Sequence, residues 1–354
     1  MMRKLPLQWK KDLNSSVDHY FKSRNISPKG NLSLVIKAGF FLSLFLLFYT
    51  IVLYSTALKL NLFSLLISCA ALAVSIAGLG FNIMHEAAHG ALSEHRIFNR
   101  LGRWLMECAG FSSYLYQISH CRIHHCHTNI YGVDGDISDV DIVRLSPRHT
   151  WKPIHRYQVF YTPFLYCFLT LVWVWWSDFV RILTKTVGRE PIRAFPPKVL
   201  LKIFVNKCLH ACLALVIPSL FLGFSKALFC YVTTYMFLGC IFAFVFQLAH
   251  THGSADWPEK NIKNFDAFEN QFLTAANFAV SNSLLSWLLG GLNFQLEHHM
   301  FPHISHVHYP QISQVVKKVC AEYGIEYPEV PTMRKAIFLH FSWLKQMGMK
   351  TSSC

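Results

Sequence analysis

The chain has 354 residues, of which 53% are hydrophobic and only 15% are charged. A soluble domain of this size would carry about a quarter charged residues, so this composition excludes an ordinary soluble protein. The formal net charge of +14 would suit nucleic acid, but the basic residues flank long apolar runs rather than forming one binding stripe. No nucleic-acid partner is therefore predicted.

Four apolar runs predict membrane-spanning helices at about residues 38–58, 62–84, 206–224 and 227–249. Each run approaches the roughly 20 residues that cross a bilayer as a helix, and a backbone in lipid must satisfy its own hydrogen bonds. The predicted fold class is an all-α integral membrane protein of one domain, residues 1–354. Its four transmembrane helices form two hairpins, with interfacial helices and a cytosolic helical cap at about 85–200 and 250–354.

The basic residues also predict the orientation. They precede the first run and continue between residues 96 and 202, whereas the two short turns between spans carry only Lys59 and Lys226. This positive-inside pattern places both termini and the cap in the cytosol, where anionic headgroups of membrane lipids would attract them. The first 37 residues are polar and basic, so no cleavable signal peptide is expected. The eleven scattered cysteines predict no disulfide framework.

Two further uncharged runs, 157–177 and 271–296, are also long enough to cross. The first is rich in Tyr and Trp, which favour the headgroup level, and the second carries several Asn and Gln residues that are costly in lipid. Both are predicted to be interfacial or re-entrant helices. Residues 311–324 show helical apolar spacing and predict a packed helix of the cap.

Three histidine clusters end apolar stretches: H-E-A-A-H from His85, H-C-R-I-H-H from His120 and Q-L-E-H-H from Gln295. His85 and His89 are four residues apart and share one face of a helix. Adjacent histidines point about 100° apart on a helix, from 3.6 residues per turn, so a His-His pair does not naturally bind one ion. Two such pairs therefore suit a site with two metals.

The fourth apolar run ends at His250, on the side of the membrane where the clusters gather. The predicted metal ligands are His85, His89, His120, His124, His125, His250, His298 and His299. Gln295 and His306 are added as weaker candidates, His306 either as a ligand or as a partner of one. Eight imidazoles exceed a structural zinc site, which takes four ligands. Imidazole suits several transition metals, and two irons that activate oxygen use this set best.

Two alternatives remain open from the residues alone. His85-Glu86-x-x-His89 matches the zinc metalloprotease motif, in which Glu86 would be the general base. The acidic run Asp134, Asp136, Asp139 and Asp141 is predicted to be a solvated loop, with hydrogen bonding to the ligand histidines as its alternative.

The three motifs, in this order and with these spacings, resemble the membrane fatty acid desaturase family over nearly the whole chain. The stretches HCHTNIYGVDGDISD from His125 and FQLEHHMFPHISHVHYP from Phe294 resemble bacterial linoleoyl-CoA-desaturase-like proteins. Gln295, in place of the third motif's first histidine, resembles the front-end group. That group places double bonds between an existing one and the carboxyl end of the acyl chain.

This resemblance implies two iron ions bound by the eight histidines. It also implies O2-dependent formation of a cis double bond in an acyl-CoA or a membrane acyl-lipid. Two electrons would come from an external ferredoxin, or from cytochrome b5 with its reductase. No His-Pro-Gly-Gly haem motif occurs and only about 37 residues precede the first span, so a fused cytochrome b5 domain is not expected. A bacterial inner membrane is then favoured over the endoplasmic reticulum. A hydroxylase or ketolase with the same metal site is the alternative.

Overall fold

The computed structural model describes residues 4–350 except 139–140, 188–189, 193–194 and 261–264. The described ranges are mainly helical. In chain order the helices are α1 (Leu7–Arg24), α2 (Leu32–Leu53), α3 (Leu62–His89), α4 (Arg96–Cys108), α5 (residues 113–127), α6 (Gly135–Ser138), α7 (Pro153–Tyr166), α8 (Leu169–Thr184), α9 (Pro197–Leu222), α10 (Phe224–His250), α11 (Ala267–Thr274), α12 (Ser283–Leu288), α13 (Gln295–Met300), α14 (Tyr309–Glu322) and α15 (Met333–Gly348). Short strands pair as β1 (Thr186–Val187) antiparallel to β2 (Glu190–Pro191), and β3 (Asn277–Phe278) parallel to β4 (Glu329–Val330).

Four of the described helices, α2, α3, α9 and α10, are long and apolar enough to cross a membrane. The most apolar windows of α3 and α10 are 56% and 50% buried, whereas those of α2 and α9 are only 17% buried. Helix α3 packs against both α2 and α10. The two inner helices thus form the apolar core, and they are also the helices that end at predicted ligand histidines.

Two spans begin well before the predicted residue, because lysines lie inside the helices. Helix α2 begins at Leu32 rather than near residue 38, and the buried Lys37 ammonium lies 3.0 Å from Nε2 of His306. Helix α9 begins at Pro197 rather than near residue 206, and the buried Lys207 donates to Asp178 at 2.7 Å. A buried charge is tolerated when it is paired and hydrogen-bonded, and these partners lie on other elements.

The run predicted at 157–177 forms part of α7 and α8, which meet at an angle of 72°. Such a bend fits either a broken span or a re-entrant segment. The placement of this run relative to the bilayer therefore stays a prediction.

The prediction of one interfacial or re-entrant helix at 271–296 is wrong. This stretch passes through α11, strand β3, the short helix α12 and a turn before it enters α13. Its polar side chains bond to other segments; for example, Gln271 Nε2 donates to the carbonyl of His125. The packed helix predicted at 311–324 is confirmed as α14, which contacts α1 and buries Ile312, Val316 and Val319.

Candidate metal centre

All eight predicted ligand histidines come together where α3, α5, α10 and α13 converge. His85 and His89 occupy the last turn of α3, directly after a π-helical turn at Gly80–Met84. A second π-helical segment, Gln117–His124, carries His120 and His124 in α5. Such π turns are frequent at functional sites, because the extra residue per turn redirects the side chains that follow.

The ligand-capable atoms of these histidines form overlapping groups, each within 4.8 Å. The first group is His85, His89, His120 and His298; the second is His124, His250 and His299; the third is His125, His298 and His299. His120 Nε2 lies 3.2 Å from His85 Nε2 and 3.3 Å from His125 Nε2. The doubled histidines thus connect two neighbouring groups, as the prediction of a two-metal site requires.

Gln295 lies beside the second group, one turn before His299 on α13. Its Nε2 is 3.0 Å from Nε2 of His250 and 3.3 Å from Nε2 of His299. Its amide oxygen Oε1 is buried and has no hydrogen-bond partner. A half-turn of the amide group exchanges the two atoms and presents that oxygen to the second group.

Several polar atoms at the centre of the cluster are buried without a partner. Nε2 of His298, Nδ1 of His125 and Oε1 of Gln295 make no hydrogen bond. An unpaired buried polar atom is costly, and a bound cation would satisfy the His298 and Gln295 atoms. The residues present therefore fit a metal centre.

The protonation states agree with that fit. Burial, followed by repulsion from neighbouring imidazoles, lowers the pKa of His120, His125, His298 and His299 well below the ordinary value. These four rings are therefore neutral at pH 7. The neutral imidazole is the form that binds metal.

His124 differs because two carboxylates face its Nδ1. This is its remote nitrogen, the ring nitrogen left over when Nε2 binds a metal. Asp134 lies 3.1 Å and Asp136 3.4 Å from Nδ1 of His124. Burial alone would lower the pKa of His124, but the two carboxylates raise it to about 9, so His124 without a metal is protonated at pH 7 and a bound metal would displace that proton. A carboxylate on the remote nitrogen fixes the ring and strengthens it as a ligand.

This contact corrects the prediction of a solvated acidic loop. Asp134 is fully buried, and its carboxylate also accepts from the backbone N–H groups of Asn129 and Asp136. The prediction is confirmed at Asp141, whose exposed carboxylate pairs with Lys152 at 3.0 Å. Asp139 lies outside the described residues.

Three further ligand histidines have partners on their remote nitrogens that the sequence did not indicate. Nδ1 of His250 lies 3.2 Å from the carbonyl of Thr274, and Nδ1 of His298 lies 3.3 Å from the hydroxyl of Tyr309. Nδ1 of His299 lies 3.4 Å from Oγ1 of Thr128. These contacts leave the Nε2 atoms of the three rings directed into the cluster.

Glu297, next to the His-His pair of α13, is fully buried and also went unnoticed in the sequence. Its Oε1 accepts from the hydroxyl of Tyr327 and its Oε2 from Nδ2 of Asn277, both at 2.7 Å. Burial raises the pKa of Glu297 to about 7, although both hydrogen bonds oppose that shift. These bonds tie the helix that carries His298 and His299 to β3 and to the segment before β4.

Glu86 and His306 form a separate network beside the cluster. Oε1 of Glu86 accepts from the backbone N–H of His306 and lies 3.2 Å from its Nδ1, while Nε2 of His306 lies 3.0 Å from the Lys37 ammonium. Within the described residues His306 belongs to none of the metal-binding groups, so of its two predicted roles the structure favours partner of the first motif. Because this network holds Oε1 of Glu86, the carboxylate is poorly placed as the general base of a zinc protease.

A cavity of ≈ 320 Å³ opens onto the cluster at His120, His124, His250 and Gln295. Most of its wall is apolar and comes from the bent pair α7–α8, from α10 and from the segment around Val143. Apolar side chains in that wall include Tyr116, Val143, Leu165, Leu169, Trp173 and Phe246. The cavity can hold an extended apolar group directly beside the histidines.

Apolar helices of membrane-spanning length around a buried histidine cluster define a metal-binding membrane protein. The family model described as fatty acid desaturase matches residues 60–331, and the chain belongs to this family of oxidoreductases. The sn-1 linoleoyl-lipid 6-desaturases of Arthrospira platensis and Synechocystis sp. are 32% and 33% identical. The two alignments cover 96% and 95% of this chain and 93% and 94% of those proteins. An acyl-lipid (8-3)-desaturase of Physcomitrium patens is 30% identical over 94% of this chain and 70% of its own length. The predicted family resemblance is confirmed.

Proposed function

We propose that the protein is an O2-dependent di-iron desaturase that introduces a cis double bond into the acyl chain of a membrane lipid. The observation that carries this proposal is the apolar cavity, which ends on His120, His124, His250 and Gln295. An acyl chain in that cavity would bring its methylene groups against the histidine cluster. A polar substrate would gain little from such walls.

The two iron sites follow from the grouping of the ligand atoms. His85, His89, His120 and His298 would hold one iron, and His124, His250 and His299 with Gln295 would hold the other; His125 lies between them. Iron bound here would supply the one-electron redox chemistry and the activation of O2. The reaction then balances as –CH2–CH2– plus O2, two electrons and two protons, giving –CH=CH– and two waters.

The protein residues orient and shield this chemistry. Asp134, Thr274 and Tyr309 hold the remote nitrogens of three different histidines, so each ring keeps one orientation. The apolar cavity wall excludes bulk water from the reacting methylene groups, and this exclusion protects a strong oxidant from side reactions.

The carrier and position of the acyl group are inferred from the relatives. All three relatives described above are named lipid-linked acyl desaturases, which favours an acyl-lipid over an acyl-CoA. Their names place the new bond at position 6 or describe an (8-3) specificity. Gln295 agrees with the front-end group by resemblance, so front-end selectivity is part of the proposal.

The two electrons must come from outside the described chain, and a negatively charged carrier such as a ferredoxin or cytochrome b5 suits the basic surface. His89 is the most exposed of the eight histidines, and its Nε2 lies 3.9 Å from Sγ of Cys121. The exposed Arg122 follows Cys121 directly.

We place this surface in the cytosol from the positive-inside pattern. A bacterial inner membrane is favoured by the similarity to the Arthrospira and Synechocystis relatives.

Metal analysis and lipid profiling test the proposal together. The purified protein should contain two irons per chain, and lipids of an expressing host should gain a double bond that mass spectrometry locates. A single zinc would contradict the di-iron site. A new hydroxyl or keto group in place of the double bond would favour the hydroxylase or ketolase alternative.

A further inference from the structure

Cys167 and Phe168 form the break between α7 and α8, and this break contacts the backbone of α10 at Gly239. A methyl group built on Gly239 would lie 2.7 Å from the carbonyl oxygen of Cys167 and 2.8 Å from that of Tyr166. It would also lie 3.1 Å from the carbonyl carbon of Cys167. All three are backbone atoms, so a larger residue would force the break away from α10.

A hydrogen bond holds the same two elements together close to this contact. Oγ1 of the buried Thr170, just after the break, donates to the carbonyl of Tyr235 at 2.6 Å. Tyr235 lies one turn before Gly239 on α10, and Ala243, one turn after Gly239, lines the cavity. The glycine contact therefore lies on the helix face that continues into the cavity wall.

The break itself forms part of that wall. Leu165 and Tyr166 line the cavity on one side of Cys167, and Phe168 and Leu169 line it on the other. Any movement of the break relative to α10 moves these four side chains together. The space beside the histidines thus depends on how closely two backbones approach at one residue.

We propose that the backbone contact at Gly239 sets the space available in the acyl-chain cavity and so selects the length of acyl chain that is desaturated. This inference rests on the proposed function of the cavity. Gly239 is a positioning residue, since it does not line the cavity. An apolar pocket discriminates between chains by about tenfold or more for each methylene that fails to fit, so a small displacement of the wall has a measurable effect.

The experiment compares Gly239→Ala with Gly39→Ala in a host fed two fatty acids that differ by two methylene groups. Gly39 is also inside a predicted span, but a methyl group there meets no atom within 4 Å, so both variants share the same intrinsic gain in helix propensity. Gly239→Ala moves the break and its four lining side chains relative to α10, so it should shift the ratio of long-chain to short-chain product by about tenfold. Gly39→Ala should keep the wild-type ratio. Leu169→Ala, which removes part of the wall without a clash, should raise the ratio.

The outcomes separate the two proposals. A wild-type protein that forms no double bond contradicts the proposed function. If the wild type is active and Gly239→Ala keeps the ratio of Gly39→Ala, the inference is overturned. Should Gly239→Ala fail to accumulate in the membrane, Leu169→Ala decides, and an unchanged ratio in that variant also overturns the inference.

Discussion

A carboxylate oxygen of Asp134 lies 3.1 Å from Nδ1 of His124, and the Asp134 side chain is completely buried. Two backbone N–H groups hold the carboxylate in place from the opposite side. Because the remote nitrogen of His124 is committed to Asp134, its Nε2 is left for the second group of ligand atoms. Asp134 would thus act on a bound metal through His124, whose Nδ1 also faces the exposed carboxylate of Asp136.

The first prediction is that Asp134→Asn weakens iron binding. The amide keeps the size of the side chain but removes the charge that orients His124, and loss of such a partner costs about 10–100-fold in metal affinity or activity. Iron content after dialysis against a graded chelator measures the effect. Asp141→Asn is the matched control, since Asp141 is exposed and pairs with Lys152. Equal iron retention in the two variants would contradict the role assigned to Asp134.

The second prediction is that His298→Ala abolishes the new double bond while the protein stays in the membrane. His298 belongs to two of the ligand groups and is one of the four histidines assigned to the first iron, so its loss removes a ligand of that site. Iron content should fall below two per chain. His19→Ala serves as the control because His19 is exposed on α1. Full activity of His298→Ala in the expressing host would refute the assignment of the centre.

Part of the gathering of the histidines was predictable, because His85, His89 and His250 lie at the ends of helices of membrane-spanning length. The other predicted ligands lie on the shorter helices α5 and α13 and were indicated only by the spacing of their motifs.

The partners of the ligand histidines were not predictable. Thr274 and Tyr309 carry no local signal, since their roles arise only from contacts between distant segments. Asp134 was visible in an acidic run, but nothing in that run separates a buried aspartate from the exposed Asp141.

The errors in the fold have the same origin. The predicted spans began at about residues 38 and 206, beside Lys37 and Lys207, because a lysine without a known partner marks the end of an apolar helix. Their partners, His306 and Asp178, lie on other elements. Stretch 271–296 lacked charge and so resembled a helix, whereas its Gln271 and Asn277 side chains donate hydrogen bonds to other segments, which a linear pattern does not reveal.

The third prediction distinguishes a supporting histidine from a ligand. His306→Ala leaves Lys37 and Glu86 buried without their shared partner, and breaking a buried charged network costs about 3–5 kcal/mol. The variant should therefore unfold at a lower temperature in detergent, yet the folded fraction should still bind two irons. His298→Ala should show the reverse pattern, with lost iron and a smaller change in unfolding temperature. Loss of iron from folded His306→Ala would instead make His306 a ligand.

The fourth prediction concerns the entry of electrons near His89. Arg122 is exposed and directly follows Cys121, whose sulfur lies 3.9 Å from Nε2 of His89. A positive charge there attracts an acidic carrier, and steering of this kind raises association rates by about 10–10³-fold at low salt. Arg122→Gln should slow turnover supported by a reduced ferredoxin at low ionic strength and should flatten its dependence on salt.

The matched control for this change is Lys11→Gln, which removes one exposed positive charge from α1. Both variants should keep two irons, which shows that the neighbouring His120 and His124 are undisturbed. The control should retain the wild-type salt dependence, because Lys11 lies on α1 and not on α5, which carries Arg122. If both variants respond to salt as the wild type does, the carrier does not approach by way of Arg122.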